Sequence, residues 1–135
     1  MKTIFDFLTP KSQTVYLERS ATIRQTLEKL DVHKFSLLTL IDESGTFIST
    51  ISEGDILRYI KNNCNFDIKL AERKRIDMIE KYRPYYALSI STPLEDVIKL
   101  SLDQNFIPII DDRGKYIGII KRKTIIDYLT EGKYK

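Results

Sequence analysis

The sequence predicts a mixed α/β fold, of the α+β repeat type, in which one β-α-β-β-α unit occurs twice. Three observations lead to this prediction. Short apolar runs of strand length alternate with segments of helical apolar spacing. Residues 45–59, GTFISTISEGDILRY, recur as residues 114–128, GKYIGIIKRKTIIDY. A shift of 69 residues aligns Asp42 with Asp111, Gly45 with Gly114, Ile48 with Ile117, Ile51 with Ile120, Ile56 with Ile125 and Tyr59 with Tyr128.

The first copy covers residues 8–60 and begins beside a short docking helix predicted over residues 1–8, which Thr9 and Pro10 would end. Its main helix has candidate caps at Ser20 and Thr22. The predicted elements are a brief strand at residues 15–17, a helix at 23–34, a strand buried on both faces at 37–41, a turn at 42–45, a strand at 47–51 and a helix at 53–60.

The second copy, residues 85–130, repeats this order. Its predicted elements are a strand at residues 86–90, a helix from Pro93 to about 103, strands at 106–110 and 116–120, and a final helix. The repeat slips by one residue in the helix before the buried strand. Because neither copy covers its sheet alone, the two are expected to pack face to face as one pseudo-twofold unit over residues 1–135.

Residues 61–84 lie between the copies and are predicted to form a linker region with a helix. Asp67 is placed to cap that helix, whose narrow apolar face would carry Leu70, Ile76 and Ile79. Its outer face is charged. A linker helix is therefore expected here rather than a third domain.

Composition argues against several functional classes. The net charge of +3 is small and spread out, and the basic run at residues 73–75 is flanked by acids, so no nucleic-acid partner is expected. No apolar run approaches membrane-spanning length, so no membrane partner is expected. Cys64 is the one cysteine and the N-terminus lacks a signal-peptide core, which favours a cytoplasmic location. His33 has no neighbouring ligand type, and no nucleophile motif or glycine-rich phosphate loop is found, so neither a metal site nor enzyme activity is expected.

Two stretches carry a resemblance to a known family. They are FIPIIDDRG at residues 106–114 with YIGII at 116–120, and LLTLID at 37–42 with ISTISEGD at 48–55. The chain resembles a tandem pair of cystathionine-β-synthase (CBS) domains, the Bateman module, over about residues 8–129. The first copy departs from the family pattern at Thr39, where proline is common, and at Ser49, where glycine is common. The resemblance implies a module that senses adenine nucleotides or related adenosyl ligands and forms dimers.

The family's nucleotide signature is a small residue, two apolar residues, Ser or Thr, two free positions, then Asp or Asn. Residues 49–55, STISEGD, match it except for serine at the first position, and Thr50 and Ile51 lie inside the match. The resemblance implies that Asp55 binds the ribose hydroxyls and that Ser52 contacts ribose or phosphate. Spacing alone favours another interpretation, a capping box at the start of a helix. The resemblance reverses that preference and favours the ligand site.

The resemblance also places further residues in the two adenine pockets. In the first copy these are Tyr16, Phe35, Ser36 and Leu37, and in the second they are Tyr86, Phe106 and Ile107. Aromatic and aliphatic side chains can sandwich a base, although for each residue taken singly a place in the core is the better explanation.

The second strand-to-helix junction has a different character. Thr124 occupies the place of Asp55, so ribose recognition of the usual kind is not expected there. Lys121, Arg122 and Lys123 crowd cations at a helix start, where the helix dipole disfavours them and a bound anion would relieve the cost. Lys121 or Arg122 is therefore predicted to reach nucleotide phosphates, either in its own cleft or across the module. The alternative is that all three are solvated surface charges.

These observations predict a non-catalytic regulatory module that needs no cofactor. Its ligand would be an adenine nucleotide or an adenosine-containing second messenger: AMP, ADP, ATP, S-adenosylmethionine or cyclic di-AMP. A homodimer is expected, and the signal would pass to a separate, unknown effector protein or the chain is a fragment. The alternative function is a structural or dimerisation module with no ligand.

Overall fold

The computed structural model describes residues 2–131. In chain order its elements are a 3-10 helix at Ile4–Asp6, β1 (Thr9–Pro10), a 3-10 helix at Lys11–Gln13, β2 (Tyr16–Glu18), α1 (Ile23–His33), β3 (Leu37–Ile41), β4 (Phe47–Ser52), α2 (Glu53–Asn63), α3 (Ile68–Ala71), a 3-10 helix at Ile76–Met78, β5 (Leu88–Ser89), α4 (Leu94–Leu100), β6 (Phe106–Ile110), β7 (Tyr116–Lys121) and α5 (Arg122–Thr130). The chain divides into two compact units. One is continuous, Val15–Pro84, and the other joins the residues up to Thr14 to those from Tyr85 onward.

The continuous unit contains a three-stranded sheet in the order β2-β3-β4. β2 runs parallel to β3, and β3 runs antiparallel to β4, as a β-α-β crossover followed by a hairpin requires. β3 is buried along most of its length, which explains its unbroken apolar sequence. The core consists mainly of Leu17, Ile23, Leu30, Leu38, Leu40, Ile51, Ile56, Ala71, Ile76 and Ile79.

The prediction of a linker helix reaching Ile79 is wrong. Helix α3 ends at Ala71, and a 3-10 turn follows at Ile76–Met78. The backbone between them is used by α1 instead: the amides of Ile23 and Arg24 donate to the carbonyls of Lys74 and Glu72. This segment thereby pairs with the amides at the start of a neighbouring helix, which have no partner within that helix.

The discontinuous unit contains a four-stranded sheet in the order β1-β7-β6-β5. β5 is parallel to β6, and β7 lies antiparallel between β6 and β1. The core consists mainly of Ile4, Phe7, Val97, Ile107, Ile109, Ile120 and Ile125. The order β-α-β-β-α is therefore confirmed in both units, together with the mixed α/β class.

The N-terminal segment differs from its prediction. Of the helix expected over residues 1–8, residue 1 lies outside the described residues, and residues 2–8 contain a single 3-10 turn at Ile4–Asp6. Thr9–Pro10 is an edge strand rather than a helix stop. Thr9 pairs with Ile119 and Pro10 with Gly118. An edge position suits Pro10, which has no amide to donate. The antiparallel pairing with β7 occupies an edge that would otherwise be free.

The slip between the copies is two residues, not one. Leu17 pairs with Leu40 in the first sheet, and Leu88 pairs with Ile109 in the second. The shift is thus 71 residues in the first strand of each unit and 69 in the second. The cause lies between these strands: α4 is four residues shorter than α1, and the connection from helix to buried strand is two residues longer, 101–105 against 34–36.

Candidate functional site

The first junction is a complete capping box at the start of α2. The Asp55 amide donates to Ser52 Oγ at 3.0 Å, and the Ser52 amide donates to Asp55 Oδ2 at 3.0 Å. The pair thus satisfies two backbone amides reciprocally, one of them in the first turn of the helix. The capping interpretation of Ser52 and Asp55 is confirmed.

Asp55 has a second partner that the sequence did not indicate. Its Oδ1 accepts a hydrogen bond from the backbone amide of Tyr82 at 3.1 Å, and the side chain is only 3% exposed. Each carboxylate oxygen therefore binds one backbone amide. A carboxylate oxygen has two lone pairs, so each retains one further acceptor position.

The other predicted residues of the first copy gather at one end of its sheet. Tyr16 pairs with Thr39, which pairs with Thr50, so these three lie side by side across the strands. Leu37 pairs with Ser52 in the same way. The carbonyl of Ser36 accepts the amide of Glu53 at 3.0 Å, which fixes the start of β3 against the start of α2.

These residues differ in accessibility. Phe35 is 45% exposed and stacks against His33, and Ser36 is also exposed. Tyr16, Leu37 and Ser52 are half-buried. Thr50 and Ile51 are fully buried, and Ile51 belongs to the hydrophobic core.

A groove runs beside the first junction, between α2 and the segment that follows the 3-10 turn at Ile76–Met78. It encloses about 350 Å³, and its lining residues include Asp55, Arg58, Asn62, Met78, Glu80 and Tyr82. The guanidinium carbon of Arg58 lies 4.2 Å from the centre of the Tyr82 ring, a cation–π contact. Sequence analysis did not select Arg58 or Tyr82, because no local pattern shows that residues 24 positions apart meet.

Lys81 adds a second cation to this region. Burial lowers the pKa of its ammonium group, while the negative charges of Asp77 and Asp55 oppose that shift. Its Nζ lies 3.5 Å from the Asp77 carbonyl. Positive charge is therefore present around the first junction, although the sequence at residues 52–55 is acidic.

The second junction has no capping box. Lys121 occupies the N-cap of α5 without a side-chain cap, and Thr124 stands where Asp55 stands in the first copy. Nε of Arg122 donates to the Ser101 carbonyl at 2.7 Å, which holds this side chain against the end of α4. Lys121 is exposed, whereas Arg122 and Thr124 are half-buried.

Gln104 organises the pocket residues predicted in the second copy, and sequence analysis missed it. Its side-chain amide is buried, accepts from the Tyr86 amide at 2.7 Å, and donates to the carbonyls of Tyr86 and Phe106. The Phe106 ring packs edge-on against Tyr85. Ile107 is a core residue, and the Tyr86 side chain is 74% exposed.

Two kinds of feature are absent from residues 2–131. No cluster of three or more His, Cys, Asp or Glu side chains is arranged to hold a metal ion. None of the helices in this range combines the length and apolar character needed to cross a bilayer.

Two β-α-β-β-α units, each with a strand-to-helix junction after its hairpin, define a tandem-repeat α/β module. A model of the CBS domain matches residues 4–62 and again residues 77–131. The chain therefore belongs to the CBS-domain family and contains two CBS repeats, as the resemblance predicted.

Known relatives agree with this membership. The chloroplastic CBS domain-containing protein CBSX2 of Arabidopsis thaliana is 25% identical over an alignment of 147 residues, gaps included, and the alignment covers 92% of this chain and 62% of that protein. The chain thus spans about three fifths of this curated relative. The structure of CBSX2 in complex with AMP has a TM-score of 0.75 at 27% identity and covers 97% of this chain and 98% of the other.

More distant structures share the fold. CbpB in complex with c-di-AMP has a TM-score of 0.86 at 20% identity, with 96% of this chain and 85% of the other covered. CbpB of Listeria monocytogenes, also in complex with c-di-AMP, has a TM-score of 0.81 at 16% identity, with 95% of each chain covered.

Proposed function

We propose that this chain is a non-catalytic regulatory module that binds an adenine nucleotide or an adenosine-containing second messenger at its first junction. The observation that carries the proposal is the placement of the nucleotide signature, residues 49–55. Ser36, Leu37 and Ser52 converge there at one end of the sheet. The AMP complex of CBSX2, at 27% identity, supports an adenine ligand.

In this proposal Ser52 and Asp55 have two roles each. As a capping box they hold the start of α2 rigid. The remaining lone pairs of the Asp55 carboxylate would accept the ribose hydroxyls, and Phe35, Leu37 and Tyr16 would contact the base. Asp55 is oriented by two backbone amides, so its position does not depend on the ligand.

The second junction would take a different part. With Thr124 in place of an acid, its own cleft would offer phosphate contacts through Lys121 rather than a second ribose site. Arg122 would contribute only through the nitrogens that do not already donate to Ser101. The module would act as a homodimer in the cytoplasm and pass its signal to a separate effector protein.

A ligand screen tests the proposal. The purified protein is heated with AMP, ADP, ATP, S-adenosylmethionine or c-di-AMP, and positive results are titrated by calorimetry. A ligand present at a hundred times its dissociation constant should stabilise the folded state by about 2.7 kcal/mol. We expect at least one ligand to bind, and Ser52→Ala to weaken it.

A matched control separates ligand contact from helix capping. Thr22 and Gln25 form the same capping box at α1, in the same unit. Thr22→Ala should therefore cost similar stability and leave ligand affinity unchanged. If Ser52→Ala and Thr22→Ala change affinity equally, Ser52 acts only through stability.

One observation favours a second candidate function, a structural or dimerisation module with no ligand. Both Asp55 oxygens already bind backbone amides, and the side chain is buried. If folded protein shows no shift with any of the five ligands, this alternative is preferred.

A further inference from the structure

Arg58 lies within reach of the first junction although it is six residues beyond Ser52 in the sequence. Its guanidinium folds back over the first turn of α2. A Cβ atom built on Gly54 would lie 3.1 Å from Arg58 Nη1 and 3.6 Å from Ser52 Oγ. The guanidinium and the serine hydroxyl therefore both border the space beside Gly54.

The Arg58 guanidinium is held by an aromatic ring and has no acidic partner among residues 2–131. It stacks on the Tyr82 ring at 4.2 Å, and the Tyr82 backbone is itself bound to Asp55. Within residues 2–131 the Arg58 side chain forms no ion pair and no hydrogen bond. Glu80 lines the same groove but is not within ion-pair distance.

Such an arginine is suited to an anionic ligand. Stacking on an aromatic face restrains the planar guanidinium and leaves its N–H donors free to bind a phosphate in a bidentate manner. Asp55, which lines the same groove, forms no ion pair with Arg58, and each of its oxygens already accepts one backbone amide. The position that corresponds to Arg58 in the second copy is Asp127, so this feature belongs to the first junction alone.

We infer that Arg58 is a phosphate contact of the first junction and makes this site select nucleotides over nucleosides. The inference rests on the function proposed above. Gly54 is part of the arrangement, because any side chain there would press against the guanidinium.

The test measures the affinity of wild type, Arg58→Gln and Arg24→Gln for AMP, ATP, c-di-AMP and adenosine by calorimetry. Arg24→Gln is the matched control, since it removes an exposed arginine from α1 of the same unit. Arg58→Gln should weaken the phosphate-bearing ligands about tenfold to a hundredfold, as expected for the loss of a charge-assisted hydrogen bond. The affinity of Arg58→Gln for adenosine should equal that of wild type. Arg24→Gln should bind all four ligands as wild type does.

Two further measurements exclude a merely structural role. Binding of the phosphate-bearing ligands should depend less on salt in Arg58→Gln than in wild type, because a screened charge interaction is lost. Tyr82→Leu should reproduce part of the affinity loss, whereas Tyr82→Phe, which keeps a stacking ring, should not.

The outcomes are distinguishable. If wild type binds a phosphate-bearing ligand and Arg58→Gln binds it equally well, the inference is wrong and the proposed function stands. If Arg58→Gln weakens adenosine and AMP by the same factor, Arg58 has a structural role and the inference is again wrong. If wild type binds none of the four ligands, the nucleotide site itself fails, and this inference fails with it.

Discussion

Gly118 in β7 and Ser49 in β4 occupy equivalent positions of the repeat, yet their surroundings differ. β7 has a strand on each side, and a Cβ on Gly118 would lie 2.2 Å from the Thr9 carbonyl of β1. β4 is the edge of its sheet, so none of the strands within residues 2–131 pairs with it on the far side of Ser49. The difference shows that the requirement for glycine comes from the neighbouring strand rather than from the family pattern.

The strand-to-helix junctions that follow β4 and β7 differ in the sequence of acidic and basic residues. The first has Ser52 and Asp55, followed by Arg58, and the second has Lys121 and Thr124, followed by Asp127. The first is stabilised by a capping box, and the second is not. The two copies therefore share a fold although the residues at the starts of α2 and α5 differ in charge and capping.

The largest expected effect tests the comparison of the two strands. Gly118→Ala should destabilise the protein by about 3 kcal/mol or more, because the added methyl collides with backbone and φ is +153°. Ser49→Ala introduces alanine at the equivalent position of the first copy and should change the free energy of unfolding by less than about 0.5 kcal/mol. Urea denaturation measures both. Equal losses would contradict the role assigned to β1.

The next effect concerns Asp55. Asp55→Ala leaves the amides of Ser52 and Tyr82 without their acceptor, so stability should fall by about 2–4 kcal/mol. The control is Thr124→Ala at the corresponding position, whose side chain makes no hydrogen bond within residues 2–131 and should cost less than about 0.5 kcal/mol. Denaturant titration reports the difference, and a neutral Asp55→Ala would mean that the two bonds contribute nothing.

A smaller effect compares the two N-caps. Ser52→Ala should cost about 1 kcal/mol, and Lys121→Ser should gain a few tenths to about 1 kcal/mol by supplying the missing cap of α5. Thermal unfolding of the two variants measures both shifts. A loss of stability in Lys121→Ser would indicate that Lys121 has a stabilising partner of its own.

The smallest effect is at the turn before β7. Backbone amides of Lys115 and Arg113 hold the pKa of the Asp111 carboxyl below its ordinary value of 3.8. A lowered pKa means that its stabilisation is fully present above the unfolded value and is lost as pH falls through the folded value. The stability difference between wild type and Asp111→Asn should therefore be constant near neutral pH and shrink below about pH 4. A difference that does not vary with pH would contradict this assignment.

Sequence reasoning succeeded where the determinants are local. β3 and β6 were predicted at their observed bounds, since unbroken apolar runs indicate strands buried on both faces. The capping box followed from Ser52 and its spacing to Asp55. Each of these depends on residues within one turn or one strand.

It failed where distant segments meet. The hydrogen bond between Tyr82 and Asp55 joins residues 27 positions apart, and the hydrogen bond between Gln104 and Tyr86 joins residues 18 positions apart. The prediction of a linker helix was wrong because the carbonyls of Lys74 and Glu72 accept hydrogen bonds from amides of α1. None of these three outcomes has a local signature, because the propensity of a segment does not show which distant partner will bind its backbone.

The pairing of β1 with β7 also has a kinetic consequence. The Tyr116 hydroxyl donates to Thr14, which lies 102 residues earlier in the chain. Such contacts require closure of a very long loop and are slow to form, whereas residues 15–84 contain all the strands of their own sheet. During synthesis the continuous unit can fold as it emerges, and β1 must wait until β7 has been made.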